Sequence, residues 1–179
     1  MPTVLAILAE GFEEIEAITP TDLLRRAGVE VTVAALGDSL HVTGRNGITM
    51  YADTMFGQLP VDMVDCLFLP GGPGVNHLRA SNLVIELVQR YHAAGRIVAA
   101  ICAAPTVLHE AGILTGRRYT AHASVQAELP ELIANERIVW DENILTSRGA
   151  GTALDFGLAL VERLCGRESS QKIADSIHA

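Results

Sequence analysis

Cys102 is the residue of this sequence best suited to act as a nucleophile. It follows a short apolar run, residues 96–101, that predicts a buried strand, and the small residues and Pro105 after it predict the start of a helix. A side chain on such a strand-to-helix turn is held at the end of a sheet in a strained conformation, as the serine of a nucleophile elbow is. A helix N-terminus behind the sulfur favours the thiolate, the reactive form. The alternative is a small buried hydrophobe, the usual state of a free cysteine.

Glu16 is the acidic side chain that we expect beside Cys102. The predicted first helix opens with Glu13, Glu14 and Glu16, and first-turn carboxylates usually complement the helix dipole, which accounts for Glu13 and Glu14. Glu16 instead falls between two apolar residues, after a loop that leaves the carboxyl end of the first strand, where ligands bind in open α/β sheets. A carboxyl next to a thiolate has a raised pKa and could donate a proton to the sulfur.

Two further features could complete a site around this cysteine. His122 comes about 20 residues after Cys102 and could be its base, because Cys–His pairs are close in space rather than in sequence. The alternative is a surface histidine near a helix cap. Residues 70–74, Pro-Gly-Gly-Pro-Gly, could form an oxyanion hole from backbone N–H groups or a plain tight turn.

The elements that must position these residues alternate between strand and helix. Strands are predicted over residues 3–9 and 29–36, joined by a helix that ends at Gly28, with Pro20 indicating a kink or two abutting helices. Such a unit predicts parallel strands. Residues 40–53 predict a hairpin that turns at Arg-Asn-Gly. Further strands are predicted over residues 64–69, 96–101, 117–121, 138–140 and 144–147, and further helices over residues 83–94, 103–111 and 153–164 and from residue 168.

The composition predicts one soluble cytoplasmic α/β domain over residues 1–179. The chain is 49% hydrophobic but only 4% aromatic, so we expect an aliphatic core. A net charge of −8 argues against a nucleic-acid or anionic-membrane partner, no apolar run approaches the ~20 residues of a membrane span, and no basic region of a signal peptide precedes the first strand. Three distant cysteines predict a reducing compartment. The other five histidines lack ligand spacing, so no metal site is expected.

Four sequence blocks together resemble the DJ-1/PfpI superfamily, on its DJ-1/YajL/ThiJ side. They are residues 11–16 (Gly-Phe-Glu-Glu-Ile-Glu) followed by Pro20, 69–72 (Leu-Pro-Gly-Gly), 99–105 (Ala-Ala-Ile-Cys-Ala-Ala-Pro) and 145–152 (Leu-Thr-Ser-Arg-Gly-Ala-Gly-Thr). Their order and spacing match over nearly the whole chain. The resemblance implies a flavodoxin-like three-layer α/β/α sandwich with a mostly parallel central sheet and a nucleophile elbow, assembled as a homodimer.

The resemblance also implies the role of each residue near the sulfur. Cys102 would be the oxidation-prone nucleophile and Glu16 the protonated carboxyl that contacts it. Gly72 and Ala103 would supply backbone N–H groups at the sulfur. His122 matches the active-site histidine of the family.

Two further positions match the family at the pocket or the dimer contact. They are Glu13 and Arg45, the latter following Thr43-Gly44. The chain departs from DJ-1-like sequences at Ala123, where proline often follows the histidine, and at Ala104, where DJ-1 has glycine and YajL-like chains have alanine.

The activity implied by the resemblance is cofactor-free chemistry on reactive carbonyls. Methylglyoxal or glyoxal would be converted to a 2-hydroxy acid, as by a glyoxalase III, and glycated proteins or nucleotides could be deglycated in the same way. The alternative is a redox-sensing oxidative-stress chaperone that uses an oxidisable Cys102. A PfpI-like peptidase usually has histidine where this chain has Ala103, and an amidotransferase needs a C-terminal His–Glu pair for its cysteine, so both are disfavoured.

Overall fold

The first strand, the first helix and the second strand form the unit on which the sheet is built. The structure is a computed structural model that describes residues 1–59 and 63–179. Strand β1 covers Thr3–Ala9, helix α1 covers Glu14–Arg26 and strand β2 covers Glu30–Leu36. The two strands are parallel and pair along their full length, as predicted. Helix α1 is one helix with Pro20 inside it, and the chain leaves it through Gly28 at a φ of 78°.

Five further strands extend this unit into a seven-stranded sheet, and two more form a hairpin outside it. They are His41–Thr43 (β3), Thr49–Tyr51 (β4), Thr54–Met55 (β5), Cys66–Leu69 (β6), Ile97–Ile101 (β7), Ile138–Asp141 (β8) and Ile144–Ser147 (β9). The sheet order is β5-β2-β1-β6-β7-β9-β8, and β8 runs antiparallel to β9 while the other neighbours are parallel. Strands β3 and β4 form a separate antiparallel hairpin, which confirms the Asn-Gly prediction.

Helices cover both faces of the sheet, so the domain has three layers. After α1 they are Val75–Ala80 (α2), Asn82–Ala93 (α3), Pro105–Glu110 (α4), Ala153–Cys165 (α5) and Arg167–Ser176 (α6). Alternate residues of each buried strand point to opposite faces; thus Leu8 packs in the core under α1 and α5, whereas Ile7 packs in the core under α2, α3 and α4. This arrangement confirms the flavodoxin-like α/β/α sandwich.

Residues 117–121 do not form the predicted strand. Their backbone groups are bound by side chains instead of a strand partner: the N–H of Arg118 donates to Asp141 Oδ2 at 2.8 Å and the N–H of Thr120 donates to Thr146 Oγ1 at 2.9 Å. The segment cannot pair with β9, because β7 and β8 occupy both sides of that strand. The six-residue helix α2 was not anticipated, since its sequence lies directly after the glycine-rich loop.

The close approach of α1 and α5 depends on Gly157. A Cβ atom on this glycine would lie 2.6 Å from Leu23 Cδ1 and 3.0 Å from Pro20 Cα, so a larger residue would push the helices apart. We expect Gly157→Val to lower the free energy of unfolding by about 2 to 3 kcal/mol through overpacking, measured by urea denaturation. The matched control is Leu154→Val, which introduces the same side chain at an exposed position of α5. Equal losses at both positions would contradict the packing argument.

Candidate active site

Cys102 stands in a left-handed conformation at the carboxyl end of strand β7, which lies beside the middle strand β6. Its φ is 67°, a region that costs a non-glycine residue about 1 to 2 kcal/mol. Two backbone hydrogen bonds hold this turn in place: the N–H of Cys102 donates to the carbonyl of Ser147 at 2.9 Å, and the N–H of His122 donates to the carbonyl of Cys102 at 2.8 Å. The elbow expected from the sequence is therefore present, and hydrogen bonds to Ser147 and His122 hold it in place.

Glu16 lies in the first turn of α1, with its carboxyl buried against the sulfur. The residue is 1% exposed. Its Oε2 accepts the N–H of Gly71 at 3.0 Å, and the carboxyl is within hydrogen-bonding range of the Cys102 side chain and the N–H of Ala150. Burial raises the pKa of Glu16 to about 7, and the negative charge of Glu13 adds to this while the hydrogen bonds oppose it. Glu16 can therefore both hold and release a proton near neutral pH.

Gly71 makes this contact possible, although the sequence pointed to Gly72 rather than to Gly71. A Cβ atom on Gly71 would collide with Oε2 of Glu16 and would lie 2.6 Å from the Cβ of Cys102. Only glycine lets the loop after β6 pass between the two reactive side chains. The signal was available in the Leu-Pro-Gly-Gly block, whose two glycines serve different purposes: Gly71 makes room and donates to Glu16, whereas the N–H of Gly72 reaches the sulfur.

The protonation of the Cys102 thiol is controlled by Glu16. Burial, followed by the negative charge and hydrogen bond of an ionised Glu16, raises the pKa of the Cys102 thiol to about 12, while the N–H groups of Gly72 and Ala103 oppose the shift. This direction is opposite to the one expected from a helix N-terminus alone, because α4 is short and burial outweighs it. A proton on Glu16 removes the repulsion and turns the carboxyl into a hydrogen-bond donor to sulfur, so the pair titrates as a unit.

His122 is exposed and lies across the opening of the site. Its Nδ1 accepts the N–H of Ser124 at 3.2 Å and lies 2.9 Å from the hydroxyl of the same serine. The neutral ring therefore carries its proton on Nε2. His122 also caps the short 3₁₀ turn Ala123–Val125, so the alternative of a surface histidine near a helix cap describes its position as well.

Gly149 marks the space where a substrate atom could meet three of these groups. A Cβ atom placed on Gly149 would lie 3.3 Å from Cδ2 of His122, 3.6 Å from Oε1 of Glu16 and 3.9 Å from Sγ of Cys102. Since the residue is glycine, that volume stays open. Gly149 belongs to the sequence block 145–152, but its close approach to these groups depends on tertiary structure and does not follow from the sequence.

An open cleft of about 420 Å³ lies at the surface beside Gly149. Its walls include His122, Arg137 and Arg148. Arg137 is bound to Asp155 and to the carbonyl of Gly151.

Glu13 and Arg45 lie outside the immediate surroundings of the sulfur. Glu13 is the N-cap of α1, and its Oε2 accepts the N–H of Glu16 at 2.8 Å. Arg45 is exposed on the hairpin turn, where its N–H donates to the carbonyl of Phe12 at 2.8 Å. Glu14, assigned from the sequence to the helix dipole, is buried and accepts the N–H of Asn46 at 2.7 Å, which ties the hairpin to α1.

The part of the chain that the structure describes has neither a metal-binding cluster nor a membrane-spanning helix. Within residues 1–59 and 63–179, no group of three or more histidine, cysteine, aspartate or glutamate side chains could hold a metal ion. None of the helices in the same two segments combines the length and the apolar character needed to cross a membrane.

The fold and the site together define an α/β sandwich protein with a cysteine at a nucleophile elbow and a buried carboxyl beside it. The model of the DJ-1/PfpI family matches residues 2–163, and the chain belongs to this family.

The chain is similar to proteins from two animals and one parasite along nearly its whole length. It is 40% identical to protein dj-1beta of Drosophila melanogaster, with 97% of this chain and 95% of that protein covered. The crystal structure of Drosophila DJ-1beta superposes with a TM-score of 0.94 at 38% identity, covering 99% of this chain and 98% of that one. The structure of oxidized Toxoplasma gondii DJ-1 superposes with a TM-score of 0.93 at 34% identity, covering 99% of this chain and 98% of that one. The glutathione-independent glyoxalase DJR-1.2 of Caenorhabditis elegans is 33% identical, with 92% and 89% covered.

The raised pKa of Glu16 predicts a pH-dependent contribution to stability. The folded protein holds this proton up to about pH 7, whereas an unfolded glutamate releases it near pH 4.5. The contribution of this proton to the free energy of unfolding is therefore fully present below pH 4.5 and is lost as the pH rises through 7. Glu16→Gln removes the titration. We expect the stability of the variant relative to wild type to rise by roughly 2 to 3 kcal/mol between pH 4.5 and pH 8, measured by urea denaturation at both pH values. If the difference in free energy of unfolding between Glu16→Gln and wild type did not change with pH, the pKa of Glu16 in the folded protein would not be raised.

Proposed function

We propose that this protein is a cofactor-independent glyoxalase that converts 2-oxoaldehydes such as methylglyoxal into 2-hydroxy acids without glutathione. The observation that carries the proposal is the buried Glu16 carboxyl, which lies within hydrogen-bonding range of the Cys102 thiol and whose burial raises its pKa to about 7. The 33% identity to a protein named as a glutathione-independent glyoxalase supports the same chemistry.

In the first step the Cys102 thiol passes its proton to the ionised Glu16 carboxyl, and the resulting thiolate attacks the aldehyde carbon. A C–S bond forms, the carbonyl π electrons move to oxygen, and the Glu16 carboxyl delivers its proton to that oxygen, which leaves a neutral hemithioacetal. The N–H groups of Gly72 and Ala103 stabilise the negative charge of the sulfur before the attack.

In the second step the now ionised Glu16 moves a proton between the two carbons. It removes the hydrogen of the former aldehyde carbon to give an enediolate and returns that proton to the neighbouring carbon. The hydroxyl proton of the former aldehyde carbon passes to the oxygen of the neighbouring carbon, and the hemithioacetal becomes a thioester of the 2-hydroxy acid. Oε1 of Glu16 is suited to this because it borders the open space at Gly149. A carboxyl that titrates near neutral pH can act as both acid and base.

In the last step water hydrolyses the thioester. The water oxygen bonds to the carbonyl carbon as the C–S bond breaks, one proton of the water passes to the sulfur, and the 2-hydroxy acid leaves with Cys102 again a thiol. His122 faces the same space with its Cδ2–Nε2 edge, so it can orient the attacking water or the second carbonyl. The sum of the steps is one 2-oxoaldehyde plus one water giving one 2-hydroxy acid, which requires no external oxidant.

The direct test measures lactate formed from methylglyoxal in the absence of glutathione and added metal. We expect turnover by the wild type, no detectable turnover by Cys102→Ser, and a loss of about 10²- to 10⁴-fold in kcat for Glu16→Gln, since a positioned acid/base typically contributes that much. The control is Cys165→Ser, which removes a thiol far from the site. Wild-type turnover in the Glu16→Gln variant would contradict the mechanism.

A second function, redox sensing, is favoured by the donors around the sulfur. Hydrogen peroxide would oxidise the Cys102 thiolate in two steps to a sulfinate, whose oxygens could accept hydrogen bonds from Gly72, Ala103 and a protonated Glu16. Stoichiometric uptake of two oxygen atoms by Cys102, detected by mass spectrometry in a protein that does not turn over methylglyoxal, would favour sensing over catalysis.

We propose further that the protein is a homodimer that pairs through α1 and the β3–β4 hairpin. Apolar side chains are exposed on both elements: Ile15 on α1 is 53% exposed, and Ile48 and Tyr51 on the hairpin are 54% and 65% exposed. The N–H of Ile48 lies 3.4 Å from Oε1 of Glu14, which places the hairpin turn beside this helix. Exposed apolar residues on adjacent elements mark an interaction surface.

The dimer is tested by sedimentation velocity on the wild type and two charge variants. Ile48→Glu should shift the protein from dimer to monomer, because it buries an unpaired charge in the interface. Leu83→Glu is the matched control, since Leu83 is 62% exposed on α3, on the other face of the sheet. A monomeric wild type would refute the proposal.

A further inference from the structure

Three hydrogen bonds form a closed ring behind the Glu16 carboxyl. The N–H of Glu13 donates to the carbonyl of Gly71 at 3.0 Å, the N–H of Gly71 donates to Oε2 of Glu16 at 3.0 Å, and the N–H of Glu16 donates to Oε2 of Glu13 at 2.8 Å. All three residues are buried. The ring therefore connects the start of α1 to the loop after β6 in one fixed geometry.

Glu13 is an unusual residue for the place that it occupies in this ring. N-cap positions favour Ser, Thr, Asp or Asn, whose short side chains reach the first-turn N–H groups. A glutamate there is not explained by capping alone. The loop also packs tightly on it, since a Cβ atom on Gly72 would lie 2.6 Å from the N atom of Glu13. Glu13 is thus held by contacts to both the helix and the loop.

The charge of Glu13 acts on Glu16 more directly than on the sulfur. The groups that face the Glu16 carboxyl are the Cys102 thiol from the β7–α4 turn, backbone N–H groups from the loops after β6 and β9, the exposed His122 across Gly149, and Glu13 from its own helix. Glu13 is the neighbouring carboxylate that raises the pKa of Glu16. The pKa of the Cys102 thiol is set mainly by burial, by Glu16 and by the backbone N–H groups of Gly72 and Ala103.

We propose that Glu13 is a positioning residue that acts on Cys102 through Glu16. The hydrogen-bond ring fixes the Glu16 carboxyl against the sulfur, and the negative charge of Glu13 strengthens the hold of Glu16 on the proton that it exchanges with the thiol, which increases the thiolate population. Without that charge Glu16 releases its proton more readily, the proton passes to the sulfur, and less thiolate is present. The proposal rests on the assignment of Cys102 as the nucleophile, but it concerns the thiolate population and does not depend on which substrate is used.

The test compares the rate at which iodoacetamide alkylates Cys102 at pH 7 in Glu13→Gln, Glu13→Asp and the wild type. Gln keeps an oxygen acceptor without the charge, whereas Asp keeps the charge and is a favoured N-cap. Peptide mass mapping assigns the product to Cys102. We expect the Gln variant to react about threefold to tenfold more slowly, since one pKa unit corresponds to a tenfold change in population. The Asp variant should stay within about twofold of wild type.

The matched control is Glu14→Gln, which removes a charge from the same helical turn but from a carboxylate bound to the hairpin. Its alkylation rate should equal that of the wild type. Equal rates for Gln and Asp at position 13 would overturn the proposal and leave Glu13 as a structural cap. If circular dichroism shows that the Gln variant does not fold, Glu13→Ser, a capping residue without charge, replaces it in the same comparison.

The alkylation assay also separates this proposal from the glyoxalase proposal. A wild type that forms no lactate, together with a slow Glu13→Gln variant, would refute glyoxalase activity and support the role of Glu13. Normal turnover by the wild type with unchanged alkylation in Glu13→Gln would support the activity and refute the role of Glu13.

Discussion

The contact between the buried Glu16 carboxyl and the Cys102 sulfur is the constraint on which the rest of the site depends. Two acidic groups that share a water-poor space cannot both be ionised at low cost, so the pair must keep one proton near neutral pH. The surrounding chain satisfies this condition with backbone donors instead of charged side chains: Gly71 and Ala150 donate to the carboxyl, and Gly72 and Ala103 donate to the sulfur. Such donors are fixed by the fold and need no reorganisation during a reaction.

The four donors come from three loops at one edge of the sheet. These loops follow β6, β7 and β9, which are neighbours in the parallel sheet, and Glu16 comes from the helix after β1, which lies beside β6. The topology alone therefore brings these three loops and the start of α1 to one edge of the sheet, whatever side chains they carry. The small residues in these loops then allow the backbones to approach as closely as the hydrogen bonds require.

Local sequence patterns predicted the elements of this fold better than the contacts between them. The strand before Cys102, the parallel pairing of β1 with β2 and the Asn-Gly hairpin depend on residues close in sequence. The strand predicted over residues 117–121 was wrong, because side chains from β8 and β9 bind its backbone. Glu16 was placed beside Cys102 through position at the sheet edge and family resemblance, whereas the roles of Gly71 and Gly149 depend on distances that no spacing in the sequence encodes.

The left-handed backbone at Cys102 has a consequence for how this chain can change over generations. Glycine would adopt the same φ without strain, so selection for folding alone favours replacing the cysteine, and a residue that is costly to keep persists only while its chemistry is used. A lineage released from that requirement would lose Cys102 early and would retain the loops around it, since Gly71 and Gly72 are also held by packing against their neighbours. A related chain that keeps both glycines but has another residue at position 102 would thus be expected to have lost the chemistry of the cysteine.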